Sequence, residues 1–180
     1  MIEKLSASRS EVMLHIGKTV EDINDEYLKP VETNWQASEL LPLTSDKTFI
    51  ADLKTIQEQA QNLSYDFLAV LVADTITEEA LPTYETWLAG VQGIDQYENN
   101  GWMKWLRSWS AEENRHGDAL NRYLYLSGRI DMRQFEASTQ YLIADGFDNG
   151  AASDPYKNFV YTSFQEMATN VSHRRVATIA

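Results

Sequence analysis

Apolar residues in this chain recur at steps of three and four positions over long segments and seldom alternate, which is the period of an α-helix. Four prolines and eight glycines divide the pattern. The segments between them predict helices from about Ser8 to Tyr27 and over roughly 47–62, 65–92, 100–126, 131–145 and 154–180. Because three of these helices are about 25 residues long, we predict an all-α fold: an antiparallel helix bundle in one domain, residues 1–180.

Acidic residues interrupt the apolar stripes of three predicted helices. Glu113 and His116 lie among Leu106, Trp109 and Leu120 on one face of the helix at 100–126. A buried carboxylate without a partner is destabilised by several kcal/mol, so acids at such positions need a common explanation. The stripe of the helix predicted over 65–92 contains Asp74 and Glu78. The stripe of the helix predicted over 154–180 contains Glu166, Thr169 and His173.

A bound cation is the simplest explanation for these acids. Carboxylate oxygens together with an imidazole bind iron or manganese, and the Glu-x-x-His spacing puts both side chains on one helix face. That motif alone is weak evidence, but its combination with acids on other helices is the pattern of di-iron carboxylate bundles. The predicted ligands are Glu78, Glu113, His116 and Glu166.

Pro82 lies one turn after Glu78. Proline has no N–H for the carbonyl of residue 78 and crowds that carbonyl, so the helix should bend beside the predicted ligand. Alternatively, TEEALP only starts a second helix, with Thr77 as its cap and Glu79 in its first turn.

Composition and charge argue against several kinds of site and function. The 180 residues include no cysteine, which excludes disulfides, thiolate zinc sites and a cysteine nucleophile. The net charge of −12 makes nucleic-acid binding a poor expectation. The longest apolar run, 67–73, is too short for a membrane span, and the N-terminus is too polar for a secretory signal, so we expect a cytoplasmic protein.

Positive charge is concentrated in the second half of the chain. Residues 1–100 hold six bases and eighteen acids, whereas residues 101–180 hold nine of each. The basic residues that an acidic partner could contact, or that simply form a solvated helix face, are Lys104, Arg107, Arg115, Arg122, Arg129 and Arg133.

Five sequence blocks spread along the chain resemble the acyl-acyl carrier protein desaturases of the stearoyl type, a branch of the ferritin-like superfamily. The blocks are LKPVETNWQ (28–36), DTITEEALPTYET (74–86), WSAEENRHGDALNRYLYLSGRIDMRQ (109–134), TQYLIADG (139–146) and DPYKNFVYTSFQEMATNVSH (154–173). AEENRHGD followed by YLYLSGR is highly specific.

The resemblance implies a ferritin-like bundle with two iron ions that uses O2 to introduce a cis double bond into a fatty acyl chain. The implied partners are acyl carrier protein, which holds the acyl chain, ferredoxin, which supplies electrons, and a second copy in a homodimer. The protein would be cytoplasmic in a bacterium or in the plastid stroma as a mature plant form.

The resemblance also assigns roles to individual residues. Glu78, Glu113, His116 and Glu166 match family iron ligands, and Thr169 matches the threonine beside the dioxygen site. Trp35 matches the tryptophan that passes electrons through the ligand histidine; alternatively, it closes the bundle end as a loop aromatic. The residues implied for the substrate channel are Trp87, Val91 and Phe159. Those implied for carrier docking are Lys104, Arg107, Arg115 and Arg122.

The sequence departs from the family at its C-terminal end. Glu113 follows Glu78 by 35 residues. If the second half of the bundle starts at Glu166 and repeats this spacing, its Glu-x-x-His should lie near residue 201, beyond Ala180. His173 is about 10 Å along the helix from Glu166 and does not substitute. We therefore expect an incomplete domain and favour a truncated desaturase over a short homologue completed by another subunit or a homologue without the di-iron site.

Two other function classes remain open at this stage. One is a non-catalytic metal or acyl-carrier binding homologue with an incomplete di-iron site. The other is an iron-oxidising relative of ferritin, which TEEALPTYE and YLYLSGR disfavour.

Overall fold

The computed structural model describes residues 7–94 and 101–179. Within these ranges the chain forms helices joined by turns and loops, without a β-strand, so the predicted all-α fold class is confirmed. The helices are α1 (Ala7–Tyr27), α2 (Ala37–Leu40), α3 (Phe49–Gln61), α4 (Tyr65–Glu79), α5 (Leu81–Ala89), α6 (Gly101–Ser127), α7 (Met132–Asp145) and α8 (Pro155–Ile179). In the part of the chain that is described, no helix is both long and apolar enough to span a membrane.

Most predicted helix boundaries agree with the structure to within a few residues. Asp154 accepts hydrogen bonds from the backbone N–H groups of Tyr156 and Lys157, at 3.0 and 3.4 Å, and so caps α8. Pro155 occupies the first helical position, where a missing N–H is not needed. The predicted loop before α3 also contains a 3-10 turn, Val31–Thr33, and the short helix α2.

The helix predicted over 65–92 is interrupted at Ala80, which ends α4 with φ −76° and ψ 10°. Pro82 then lies in the first turn of α5, the position in a helix that tolerates it. The break therefore falls beside Glu78, as the proline predicts, but it separates two helices rather than bending one. Thr77 is not a cap, because its hydroxyl donates to the carbonyl of Ala73 within α4.

Contacts divide the described residues into two units, so the single domain stays a prediction. Unit 1 comprises residues 7–30, 82–94, 101–111 and 146–179 and contains α1, nearly all of α5, the start of α6 and α8. Apolar burial stabilises it, at about 1.5–3 kcal/mol for each fully buried large side chain. Its core consists of Leu88, Val91, Ile94, Met103 and Leu106, against which pack Trp87, Trp102, Trp105, Trp109 and Phe159.

Unit 2 comprises residues 31–81 and 112–145 and contains α2, α3, α4, the rest of α6 and α7. Its buried apolar side chains include Leu68, Leu71, Leu124 and Phe135. Arg129 donates hydrogen bonds to the carbonyls of Ala60 and Leu63 and so ties the end of α6 to the turn after α3. Glu78 on α4 and Glu113 on α6 both belong to unit 2.

Candidate metal centre

Three predicted ligands meet between α4 and α6 in unit 2. Glu78, Glu113 and His116 each offer a ligand atom, and these atoms lie within 4.8 Å of one another. The Nδ1 atom of His116 is 2.9 Å from a carboxylate oxygen of Glu113 and 3.6 Å from one of Glu78. The side chain of Glu78 is only 8% exposed and that of Glu113 18%, so both carboxylates are largely withdrawn from water.

The backbone at Gly117 brings the two helices together at this point. A Cβ atom on Gly117 would lie 3.3 Å from the carbonyl carbon and oxygen of Glu78 and from the backbone nitrogen of Glu79. The backbone of α6 therefore packs directly on the end of α4, one residue after His116. Gly117 is not among the residues predicted from the sequence, although a glycine inside a long helix is itself a signal of close packing.

We expect Gly117→Ala to weaken metal binding more than it weakens the fold. The added methyl group must displace the backbone of Glu78 by a few tenths of an ångström, because backbone atoms cannot rotate away. Overpacking destabilises by about 1–3 kcal/mol, and the helix propensity of alanine offsets about 1 kcal/mol of that. Isothermal titration with Co²⁺ and thermal unfolding check this. Unchanged Co²⁺ affinity in a folded variant would show that the close approach does not position Glu78.

The two carboxylates change the protonation of the histidine. Hydrogen bonds that His116 donates, first to Glu113 and then to Glu78, raise the pKa of His116 to about 10, against the opposing effect of burial. At neutral pH the imidazole is therefore protonated, and its single positive charge offsets part of the negative charge of the two carboxylates. A metal ion would take over that role, since an imidazole ligand must give up its proton.

The donor set fits an iron ion. Two carboxylates supply hard oxygen ligands, and one imidazole supplies a nitrogen ligand that suits iron, zinc or copper better than calcium or magnesium. The low exposure of the carboxylates also agrees with a cation, since buried negative charges need a positive partner. Glu78, Glu113 and His116 could therefore hold iron between α4 and α6.

Trp35 and Arg115 lie against this cluster. The indole of Trp35 stacks on the imidazole of His116, with ring centroids 5.8 Å apart and an interplanar angle of 11°. The guanidinium of Arg115 lies over the same indole, 4.6 Å from its centroid. Arg115 also donates to the backbone carbonyl of Trp35 at 2.8 Å and forms an ion pair with Glu112 at 3.1 Å.

The prediction that Arg115 belongs to an exposed docking array is corrected by this arrangement. Its side chain is 9% exposed and is engaged by Trp35 and Glu112, so a carrier protein cannot contact its charge. Helical spacing alone misplaced it, because the loop that covers this part of α6 is remote in sequence. The other predicted docking residues are exposed: Lys104 pairs with Asp25, Arg122 with Asp118, and Arg107 lies on the surface.

Glu166 and Thr169 lie on α8, which belongs to unit 1. Glu166 is exposed within that unit, and the hydroxyl of Thr169 donates to the carbonyl of Gln165 at 3.0 Å. Their roles as a ligand and as a residue beside the dioxygen site stay predictions.

The predicted channel residues Trp87, Val91 and Phe159 belong to the core of unit 1. Val91 lies just after α5 rather than on it, because the helix ends at Ala89. The indole N–H of Trp87 donates to the amide oxygen of Asn158 at 3.1 Å, and Asn158 is fully buried. The sequence analysis missed Asn158, since a single asparagine on a helix carries no distinctive spacing.

Comparison with known proteins identifies what this chain is similar to. A family model described as "Fatty acid desaturase" matches residues 8–180. The chain is 50% identical over 157 residues to stearoyl-[acyl-carrier-protein] 9-desaturase 1, chloroplastic, of Arabidopsis thaliana, an alignment that covers 86% of this chain and 40% of that protein. It is 47% identical over 174 residues to acyl-[acyl-carrier-protein] desaturase, chloroplastic, of Cucumis sativus. That alignment covers 93% of this chain and 44% of the relative. The chain thus spans less than half the length of these relatives.

Proposed function

The chain belongs to the fatty acid desaturase family, and from this we propose that it forms part of an enzyme that introduces a cis double bond into a fatty acyl chain held on acyl carrier protein. The observation that carries the proposal is the convergence of Glu78, Glu113 and His116 in a chain of this family. O2 is the oxidant and ferredoxin the electron donor in this proposal. The active protein would be a homodimer.

The proposed iron ligands are the four residues that match the ligands of the family. Glu78, Glu113 and His116 would bind iron, and Glu166 would be a further ligand of a di-iron site. When bound, the iron ions supply O2 activation and hydrogen abstraction from the unactivated methylene groups of the acyl chain.

Five further residues would have roles in moving electrons, holding a proton and excluding water. Trp35, stacked on His116, would pass electrons to the metal ligand. The hydroxyl of Thr169 would hold a proton for the dioxygen site. Trp87, Val91 and Phe159 would surround the acyl chain with apolar surface and so exclude water from the reaction.

A reconstituted reaction tests the proposal. The protein from its native source, with iron measured on the same sample, is incubated with O2, reduced ferredoxin and acyl carrier protein that bears a saturated acyl chain. The product is analysed by mass spectrometry. About two irons per chain and an unsaturated product support the proposal. An iron-loaded protein that gives no unsaturated product contradicts it and favours a non-catalytic metal-binding homologue.

Carrier docking on the exposed basic residues of α6 is a separate prediction. Reversing the charge of Lys104 and Arg107 together should raise the Kd for acyl carrier protein about tenfold at low salt and reduce the salt dependence of binding. Both side chains are exposed and lie one turn apart. Surface plasmon resonance at several salt concentrations checks this, with Lys54→Glu on α3, an exposed base outside the predicted basic set, as the control. A Kd equal to that of the unaltered protein would place the carrier elsewhere.

A further inference from the structure

We infer that Arg115 is a positioning residue that holds the indole of Trp35 on the imidazole of His116. The inference rests on the proposed function for its significance, because that function makes Trp35 the entry point for electrons. The geometry itself is independent of the metal and involves residues of unit 2 only.

One indole contacts two consecutive residues of α6. Side chains at neighbouring helix positions point about 100° apart, so Trp35 must lie across the helix surface to reach both Arg115 and His116. The indole is nearly parallel to the imidazole, at 11°, while the guanidinium carbon of Arg115 lies 4.6 Å from the indole centroid. A cation over an aromatic face is attracted by the electrons of that face.

Arg115 also fixes the main chain that carries the indole. Its Nη1 donates to the carbonyl oxygen of Trp35 at 2.8 Å, and its Nη2 donates to Glu112 at 3.1 Å. The planar guanidinium thus holds the backbone and the ring of Trp35 at once, while Glu112 holds the guanidinium from its own helix. A lysine ammonium has no such fork of donors.

Trp35 needs this support because of where it lies in the chain. It follows the 3-10 turn Val31–Thr33 and precedes α2, and it is 37% exposed. No regular helix fixes its backbone. Arg115, by contrast, is 8% exposed on a long helix and provides a rigid attachment.

A competing interpretation gives Arg115 the carrier protein as its partner. Its burial and its contacts with Trp35 and Glu112 argue against that partner. A guanidinium taken out of water needs hydrogen bonds and a compensating charge. The carbonyl of Trp35 accepts from its Nη1 and the carboxylate of Glu112 from its Nη2, while its Nε is buried without a hydrogen-bond partner among the described residues. The contacts therefore favour a structural role for Arg115.

Tryptophan fluorescence tests the positioning. The Trp35 component is obtained as the difference between each variant and the same variant carrying Trp35→Phe. In Arg115→Met, which keeps an unbranched apolar stem but removes the charge and the donors, the emission of Trp35 should shift to longer wavelength. Quenching of that component by Co²⁺ added to the protein should fall by roughly half or more, because the indole leaves the metal ligand.

Three further variants separate positioning from a loss of folding. Arg115→Lys keeps a charge and should restore the quenching only in part. Glu112→Gln alters a 40% exposed side chain that anchors the guanidinium, so it should fold and show a smaller shift in the same direction. Arg133→Met on α7 should behave as the unaltered protein. Emission and quenching unchanged in both Arg115→Met and Glu112→Gln would overturn the inference.

The same variants distinguish failure of the inference from failure of the proposed function. Stopped-flow mixing of the iron-loaded protein with reduced ferredoxin follows oxidation of ferredoxin by one electron and reduction of Fe³⁺ to Fe²⁺. The rate should fall about tenfold in Arg115→Met, as expected for a misplaced group near a reaction centre. If Trp35→Phe leaves this rate unchanged, the electron role of Trp35 is wrong, while the fluorescence result still supports positioning by Arg115.

Discussion

Replacing Glu113 with alanine should lower the affinity of the protein for Fe²⁺ by more than about 100-fold, since even the partners of metal ligands contribute 10–100-fold. Glu113 is the nearer of the two carboxylates to His116, at 2.9 Å, and its removal leaves two of the three convergent donors. Anaerobic isothermal titration with Fe²⁺ measures the effect. His116→Ala should give a loss of similar size, because the imidazole is the only nitrogen donor of the cluster.

A control on the same helix separates ligand loss from a general loss of negative charge. Asp118→Asn removes a carboxylate two residues after His116 that forms an exposed ion pair with Arg122. Its Fe²⁺ affinity should stay within a few-fold of the unaltered protein, because screening weakens exposed charges. Equal losses in Glu113→Ala and Asp118→Asn would mean that the acidic surface, and not the cluster, attracts the metal.

Asn158→Leu should destabilise unit 1 by about 3 kcal/mol, since each buried polar group left without a partner contributes about 1–3 kcal/mol. The amide oxygen of Asn158 accepts from Trp87 at 3.1 Å and from Asn149 at 3.0 Å, and its amide nitrogen donates to the carbonyl of Ala152 at 2.9 Å. Ala152 has a φ of 46°, a strained value for a residue other than glycine, which this network holds in place. Leucine has the same branched skeleton with bulkier methyl groups, so water cannot enter to replace the lost bonds.

Thermal and urea unfolding measure this destabilisation. For a chain of this size, 3 kcal/mol corresponds to a fall in Tm of about 6–12 °C. Asn170→Leu is the matched control, because Asn170 is exposed on the same helix and should change Tm little. A Tm for Asn158→Leu equal to that of the control would show that the buried network contributes nothing net. If Trp87 lines the acyl channel as proposed, the variant should also change the preference for acyl chain length.

The helices were predictable from the sequence because their signals are local. Apolar periodicity, the Asp154-Pro155 start and Pro82 each act within a turn or two of the chain, and the structure has helix boundaries close to those expected. The meeting of Glu78, Glu113 and His116 was predictable for a related reason. Glu113 and His116 share one helix face. Glu78 is a carboxylate within an apolar stripe of another helix, which indicates that it needs a buried partner.

The features that escaped prediction depend on residues remote in sequence. Arg115 is buried because the loop at Trp35, 80 positions away, covers it. Asn158 matters because Trp87 lies 71 positions before it. Gly117 matters because the end of α4 packs on it. Helical periodicity assigns each of these residues to a face but does not say which segment covers that face.

Anomalous diffraction at the iron absorption edge, from crystals of the iron-loaded protein, tests the metal centre most directly. We predict an anomalous peak between α4 and α6, within bonding distance of a carboxylate oxygen of Glu78, a carboxylate oxygen of Glu113 and the imidazole of His116. An iron-loaded crystal whose anomalous peaks all lie away from these three side chains would contradict it.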